Sequence, residues 1–124
     1  MQKRFIAFIA GLACLSAVGA HAQETAEQKT VAALYQDKAQ LNGHEVQVRG
    51  KVVKVNNGIM NRNFLHIQDG TGAEGSNDLT VTTDETANVG EEVIITGTVT
   101  VDKDFGAGYS YPLLVEKAHI AQAK

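Results

Sequence analysis

The segment that most constrains the fold spans residues 45–72 and has the sequence EVQVRGKVVKVNNGIMNRNFLHIQDGTG. Its first half alternates valines with Gln, Arg and Lys, which is typical of a strand with one face towards a core. Gly50 interrupts the alternation, and a glycine inside a strand marks a bend where a side chain would collide with a neighbouring strand. The segment therefore predicts a strand that coils.

Turn residues divide the same segment into a hairpin. Asn56-Asn57-Gly58 tolerates positive φ and predicts the turn, and residues 64–67 predict a second strand that pairs back on the first. Asp69-Gly70-Thr71-Gly72 predicts a further tight turn after that strand. The spacing thus gives two paired strands joined by a loop over residues 56–63.

Three more strands are predicted after this hairpin, over residues 79–83, 93–101 and 111–120. Gly97 predicts a second bend, and residues 83–90 are too short for more than about one turn of helix. Five short strands with glycine bends favour a partly open Greek-key barrel over a sandwich, which would need more strands.

The one predicted helix covers residues 25–41, where apolar side chains recur at spacings of three and four. Thr25 is its candidate N-cap, and Asn42-Gly43 is a good C-terminal stop. Tyr35 lies at a periodic apolar position, which favours a core role over a ligand role. We expect this helix to pack on one end of the barrel.

Residues 1–22 have the pattern of a secretory signal peptide. Two basic residues come first, residues 5–18 are apolar, and Ala20-His21-Ala22 is an A-x-A cleavage signal. The apolar run is short for a bilayer span. Cys14 raises the alternative of a lipoprotein, although Gly11 stands where a lipobox has its usual leucine.

Cleavage after Ala22 predicts a periplasmic protein of one domain, with residues 23–43 as lead-in and helix and residues 44–124 as the barrel. Cys14 is the only cysteine, so the mature chain has neither a disulfide nor a thiolate metal site. Loss of the two basic leader residues leaves nine basic against 14 acidic residues, a net charge of −5. Since Lys and Arg supply most non-specific affinity for phosphates, this charge argues against nucleic acid.

The strand VQVRGKVVKV, a loop and then FLHIQDGTG resemble the anticodon-binding OB domains, which carry a VxVxGxV strand followed by an F-x-x-x-x-DGTG strand. The resemblance covers residues 44–120 and implies a mainly β, five-stranded OB-fold Greek-key barrel. In such a barrel the first hairpin loop and the loop between strands four and five flank the usual binding face.

Together with the leader, the chain also resembles the small exported bacterial OB-fold proteins of the BOF group. This resemblance implies a periplasmic role in stress tolerance and binding of small or cationic ligands or envelope components. The chain departs from the group in its MNRN first loop and its longer DKDFGAGYSY loop. Other exported OB proteins resemble accessory factors of respiratory cytochromes, which would make the two loops a protein-docking surface.

Unusual residues are concentrated in these two loops and the strand beside them. Aromatic side chains on a glycine-rich loop, opposite a polar loop, indicate a cleft for something flat, sugar-like or peptide-like. A role in capping the barrel end remains open for Phe105 and Tyr111. The predicted ligand-binding residues are Met60, Asn61, Arg62, Asn63, Phe64, His66, Phe105, Tyr109 and Tyr111.

No catalytic site or cofactor is predicted. The aspartates lie in turns, where Asp hydrogen-bonds nearby amides, and the chain has no nucleophile, phosphate-loop, zinc or dinucleotide motif. Met60 and His66 form a possible thioether and imidazole pair for copper(I). The other interpretation of Met60 is a side chain that merely covers the barrel mouth.

The leading hypothesis is a non-enzymatic periplasmic binding or accessory module, whose ligand is a small molecule, an envelope component or a partner protein such as a respiratory cytochrome. The first alternative is a single-stranded nucleic-acid-binding domain with bases stacked on Phe64, Phe105 and Tyr109. The second alternative is copper handling through Met60 and His66.

Overall fold

The computed structural model describes residues 26–123 of the 124-residue chain. The predicted signal peptide and Thr25 lie outside the described residues. No helix in the described range is both long and apolar enough to cross a membrane. The elements in chain order are β1 (Glu27–Gln28), α1 (Val31–Gln36), α2 (Lys38–Leu41), β2 (Glu45–Ile59), β3 (Arg62–Gln68), β4 (Leu79–Thr83), β5 (Glu92–Gly106) and β6 (Tyr109–Gln122).

Five of the strands form a barrel. The first half of β2 pairs with β5 and its second half with β3, both antiparallel. β3 pairs antiparallel with β4, β4 pairs parallel with β6, and β6 pairs antiparallel with β5. The order β2-β3-β4-β6-β5 therefore returns to β2, as in an OB-like Greek-key barrel. The prediction of a mainly β, OB-like barrel is confirmed.

The two strand glycines allow close approach between neighbouring strands, as predicted. A Cβ on Gly50 would lie 2.7 Å from Cγ2 of Ile67 and 2.8 Å from the backbone oxygen of Gln68. A Cβ on Gly97 would lie 2.7 Å from Cγ1 of Val115. A Cβ at either position would collide with the neighbouring strand, so these two positions require glycine.

Alternate side chains of the five barrel strands point into one apolar core. The helical segment adds Val31, Leu34 and Leu41 to the same cluster, so it packs against the barrel as expected. The strands contribute Val46, Val48, Val52, Leu65, Ile67, Leu79, Val81, Val93, Ile95, Val99, Leu113 and Val115.

The prediction of a single helix over residues 25–41 is wrong at its start and in its middle. β1 pairs parallel with β2, and the amide of Lys29 donates to the carbonyl of Gln47 at 2.9 Å. The first half of β2 has an edge that β3 does not cover, and pairing with this edge overrides the helical preference of the polar residues in β1. The helix begins after Thr30, and Asp37, with φ −107° and ψ 18°, separates α1 from α2.

Side chains of the DGTG turn cap the N-terminus of α1. Asp69 Oδ2 accepts a hydrogen bond from the amide of Val31 at 2.9 Å, and Thr71 Oγ1 accepts one from the amide of Ala32 at 3.0 Å. Thr30 Oγ1 accepts from the amide of Ala33 at 3.1 Å. Three amides that a helix start leaves without intrahelical partners are thus satisfied by side chains.

The hydrogen bonds of this turn also set the acidity of Asp69. Partial burial alone would raise its pKa, but the Thr71 hydroxyl and the amides of Val31 and Thr71 all donate to the carboxylate. Their combined effect holds the pKa of Asp69 below its ordinary value, because hydrogen bonds to a carboxylate favour its charged form.

The first predicted loop, over residues 56–63, is instead the end of a hairpin that continues β2 and β3. The turn lies at Met60 and Asn61, with φ of 53° and 65°, and not at the predicted Asn56-Asn57-Gly58. Gly58, with φ 74°, lies in an irregularity of the β2–β3 register, and its amide donates to Oδ1 of Asn63 at 2.9 Å. The Asn-Gly pair therefore supplies a bulge, while Met60 and Asn61 supply the turn.

The second predicted loop, over residues 102–111, is also a hairpin. β5 and β6 remain paired as far as Gly106 and Tyr109. Ala107 and Gly108 form the turn with φ of 55° and 87°. Two consecutive positive φ values match the right-handed twist of paired strands, so the strands extend past the barrel without a flexible loop. We call the β2–β3 and β5–β6 extensions, residues 56–64 and 102–111, the two arms.

Candidate ligand-binding site

The two arms meet at a cluster of three aromatic rings. The ring centroid of Phe64 lies 5.8 Å from that of Phe105 and 5.9 Å from that of Tyr111, and the last two are 6.0 Å apart. Phe105 presents its ring at 71° and 75° to the others, an edge-to-face geometry that favours attraction between rings. Phe64 is buried on the side of the sheet opposite Leu65. This ring cluster holds the arms together.

Two cations lie against the ring of Phe105. The guanidinium carbon of Arg62 is 5.0 Å from the ring centroid, and Nζ of Lys103 is 5.2 Å from it. Oε2 of Glu116 lies 4.0 Å from a nitrogen of each cation, and its Oε1 accepts a hydrogen bond from the Thr100 hydroxyl at 2.9 Å. The carboxylate thus stands between two positive charges that both contact the same ring.

A polar cavity of about 410 Å³ opens beside this charged group. Three cationic and two acidic side chains contribute to its wall, so a ligand there meets charges of both signs. One of the cations, Lys117, has a positive φ of 54° beside the register shift opposite Gly97. The lining residues are Asn61, Arg62, Thr82, Thr83, Asp84, Lys103, Glu116 and Lys117.

An aromatic cavity of about 210 Å³ also adjoins the ring cluster, and Phe64 and Tyr111 form part of its wall. Its six lining residues include no Lys, Arg, Asp or Glu. They are Asn56, Ile59, Phe64, His66, Tyr109 and Tyr111.

His66 enters this aromatic cavity in a fixed orientation. Its Nδ1 lies 2.8 Å from Oδ2 of Asp78. Asp78 is braced in turn, because the Tyr35 hydroxyl donates to its backbone oxygen at 2.6 Å. A carboxylate on one ring nitrogen sets the direction in which the other nitrogen points.

Tyr35 has the core role that its position in the sequence favours. Its side chain is half-buried and packs against the barrel core. Burial raises the pKa of the Tyr35 hydroxyl, and the nearby Asp78 carboxylate raises it further. The hydroxyl therefore stays protonated and available to donate to the backbone of Asp78.

The two tyrosines of the second arm contribute their rings and hydroxyls to this surface. Burial raises the pKa of Tyr111, and the neighbouring Tyr109 raises it further. Tyr109 is 41% exposed, the largest exposure among the ring-bearing residues of the two arms. Its ring is thus the one most open to a ligand.

The structure divides the nine predicted site residues among several places. Phe64, His66, Tyr109 and Tyr111 line the aromatic cavity, while Asn61 and Arg62 line the polar cavity. Phe105 lies in the ring cluster beside both. The arms therefore bring seven of the nine to one surface.

The other two predicted residues, Asn63 and Met60, line neither cavity. Asn63 donates through Nδ2 to the carbonyl of Glu85 at 2.8 Å and accepts from the amide of Gly58, so both ends of its amide are engaged in the fold. Met60 lies in the turn, where its carbonyl accepts from Nε of Arg62 at 3.2 Å, and it lines neither cavity.

Sequence reasoning did not single out eight of the residues that line the two cavities. A signal for some of them lies in β4, LTVTT, whose five residues are all buried although three are threonines. Thr82 and Thr83 of this strand line the polar cavity. The missed lining residues are Asn56, Ile59, Thr82, Thr83, Asp84, Lys103, Glu116 and Lys117.

Copper binding by Met60 and His66 stays a prediction. Among residues 26–123, no group of three or more His, Cys, Asp and Glu side chains is placed to hold a metal ion. The thioether of Met60 falls outside that donor set, and one nitrogen of His66 is already engaged with Asp78.

The chain matches no protein-family model and no curated protein. Among solved structures it is similar to the OBody AM2EP06 bound to hen egg-white lysozyme, with 17% identity, a TM-score of 0.57 and coverage of 77% of this chain and 92% of that one. An aspartyl-tRNA synthetase from Leishmania major Friedlin gives 13% identity and a TM-score of 0.53, over 89% of this chain and 26% of that one.

The asparaginyl-tRNA synthetase of Entamoeba histolytica, in complex with asparaginyl-adenylate, gives 12% identity and a TM-score of 0.53 over 80% of this chain and 24% of that one. At such identities the likeness establishes the OB-like fold and leaves the ligand open. The likeness to synthetases agrees with the resemblance of the DGTG hairpin to their OB domains. The resemblance to the BOF group receives no support from these comparisons.

Proposed function

We propose that this chain is a non-enzymatic, exported binding module that takes its ligand between the two arms. We call this surface the arm face and define it as the ring cluster of Phe64, Phe105 and Tyr111 with the polar and aromatic cavities beside it. One observation carries the proposal. Two arms that are distant in sequence contact each other through three aromatic rings, and one polar cavity and one aromatic cavity lie beside that contact.

The groups of the polar cavity are engaged with one another in a way that favours binding over catalysis. Glu116 stands between Arg62 and Lys103. The Thr83 hydroxyl donates to the carbonyl of Ala118 at 2.7 Å and accepts from the amide of Glu85 at 2.9 Å. A nucleophile needs a base within hydrogen-bonding distance, and this hydroxyl is committed to the backbone on both sides.

The chemistry of the arm face suits a ligand of mixed character, such as a small molecule, an envelope component or a partner protein, for example a respiratory cytochrome. The OBody that shares this fold is bound to lysozyme, so a barrel of this shape is compatible with a protein ligand. Export to the periplasm is part of the proposal and rests on the leader sequence of residues 1–22.

The exposure of the aromatic rings disfavours the nucleic-acid alternative. Binding of single strands requires ring faces on which successive bases stack. Phe64 is 2% exposed and its neighbours Phe105 and Tyr111 are packed against it, which leaves Tyr109 as the one open ring among these four. One exposed ring on a chain with an excess of acidic residues is a weak platform for a polyanion.

The test is a proton–nitrogen NMR titration of the purified protein with cell-wall fragments, copper(I), oligonucleotides and periplasmic extract. We expect shifts confined to residues 56–66, 82–84 and 103–117. Arg62→Ala and Tyr109→Ala should abolish them with nearly unchanged thermal midpoints, since neither side chain is in the core. Lys51→Ala, an exposed position on β2 outside the arms, is the matched control.

Two outcomes would contradict this proposal. Shifts that map to the opposite side of the barrel would place the ligand elsewhere, and large losses of stability in both variants would make these residues structural. Stoichiometric copper(I) binding that disappears in Met60→Ala would favour copper handling instead.

A further inference from the structure

The two cavities of the arm face differ in formal charge, and this difference discriminates between ligands. The polar cavity has five ionisable side chains in its wall, whereas the six residues around the aromatic cavity include no Lys, Arg, Asp or Glu. A phosphate or carboxylate in the aromatic cavity would lose its water without gaining a fixed counter-charge. The cavity therefore disfavours an anionic group.

The same cavity offers hydrogen bonds around an apolar wall. Asn56 has an amide that both donates and accepts, and the tyrosine hydroxyls do the same. His66 is held through Nδ1 by Asp78, which leaves Nε2 as the ring nitrogen outside that pair. Ile59 and the rings of Phe64 and Tyr111 supply the apolar part.

The volume of the cavity restricts what can enter. About 210 Å³ is less than the roughly 300–1,000 Å³ of sites that enclose a drug-sized ligand. The cavity is thus suited to one ring of a ligand whose remainder stays outside. Tyr109, 41% exposed at its edge, offers a ring face to that group.

We propose that the aromatic cavity binds one neutral sugar ring of an oligosaccharide. A sugar ring has hydroxyls that donate and accept, and it has C–H groups whose slight positive charge is attracted to the negative face of an aromatic ring. It carries no charge that would need a partner. The inference rests on the proposed function and names the ligand class for one part of the arm face.

Calorimetric titration of the purified protein with two neutral oligosaccharides, an N-acetylglucosamine tetramer and maltotetraose, tests this proposal. We expect at least one to bind, with affinity at least about tenfold weaker in Tyr109→Ala and lower also in Asn56→Ala. Both side chains are exposed, so neither variant should lose the fold. Tyr109→Phe retains the ring and should lose less affinity than Tyr109→Ala.

Lys51→Ala, an exposed position on β2 outside the arms, is the control, and it should bind the oligosaccharide as the unchanged protein does. Failure of both oligosaccharides to bind, or equal affinity in Tyr109→Ala, overturns the sugar proposal. Binding of an octathymidylate that weakens in Lys103→Ala, without sugar binding, also overturns it. If sugars fail while extract components still shift residues 56–66, 82–84 and 103–117 in the NMR titration, the arm face remains a binding surface and only the sugar class is wrong.

Discussion

The two ends of β3 use their polar side chains in opposite ways. Just past the C-terminal end of β3, Asp69 and Thr71 direct their oxygens to the amides of α1 and to each other, within the fold. At the N-terminal end, Arg62 reaches out over Phe105 and lines an open cavity. The DGTG turn, which carries the likeness to other OB domains, thus stabilises the fold, while Arg62 in the first arm contributes to the wall of the polar cavity. A likeness based on DGTG predicts architecture and leaves the ligand open.

The largest effect that would test this contrast is expected from Gly72→Ala in the DGTG turn. A Cβ there would lie 2.2 Å from the backbone oxygen of Ser76, and φ is +85°. We expect a loss of about 3 kcal/mol or more in the free energy of unfolding, from overpacking against backbone together with a left-handed conformation. Denaturant unfolding followed by circular dichroism measures it.

Gly70→Ala is the matched control, because its φ is +86° and a Cβ there would have no atom within 4 Å. Its free energy of unfolding should fall by about 1 kcal/mol, because only the left-handed conformation is unfavourable for alanine there. Equal losses in the two variants would mean that the contact with Ser76 does not determine the requirement for glycine.

The next largest effect is expected from Asp69→Ala, which removes the acceptor for the amides of Val31 and Thr71. We expect a loss of about 2 kcal/mol in the free energy of unfolding, since it combines a missing cap with unsatisfied donors. Asp84→Ala, on the exposed rim of the polar cavity, should cost less than about 0.5 kcal/mol. A loss in Asp84→Ala as large as that in Asp69→Ala would contradict the contrast between the two ends.

A smaller effect is expected on the pH dependence of stability in acid. The pKa of Asp69 is lower in the folded protein than its ordinary value of 3.8, so the unfolded chain takes up a proton first as the pH falls. The stability from Asp69 is therefore present above pH 3.8 and is lost as the pH falls through the lowered value. We expect the pH dependence of unfolding below pH 4 to be flatter in Asp69→Asn.

Some acid dependence should remain in Asp69→Asn, because Glu85 also titrates below its ordinary pKa. The amide of Ile120 and the ring of His119 both donate to this carboxylate. An unchanged slope in the variant would show that Asp69 does not contribute to acid unfolding.

The barrel was predictable because its signals are local. The valine alternation of β2 and the glycines at 50 and 97 reflect which side chains face the core and which would collide, and both appear in the sequence itself. β1 gave no such signal, because Glu27 and Gln28 are polar and their pairing depends on an edge of β2 that exists only in the folded barrel.

The arms show where local signals mislead. Asn57-Gly58 is turn chemistry, yet Asn63 accepts from the Gly58 amide and the turn lies three residues further on, at Met60 and Asn61. The aromatic residues of the second arm were found because they cluster in sequence. Lys103 and Glu116 were missed because their relation to Arg62 arises from the packing of two hairpins.

The smallest expected effect concerns the contact that joins the arms. In a double-mutant cycle with Arg62→Met and Phe105→Leu, we expect a coupling of about 0.5–1 kcal/mol in the free energy of unfolding, because the guanidinium lies 5.0 Å from the ring at a partly exposed site. Denaturant unfolding of the four proteins measures the coupling, with Arg49→Met, exposed on β2, as the control partner for Phe105→Leu. Zero coupling would mean that the rings alone join the arms. A coupling as large as the loss in Asp69→Ala would mean that the arm contact stabilises the fold as much as the DGTG turn does. The contrast between the two ends of β3 would then no longer hold.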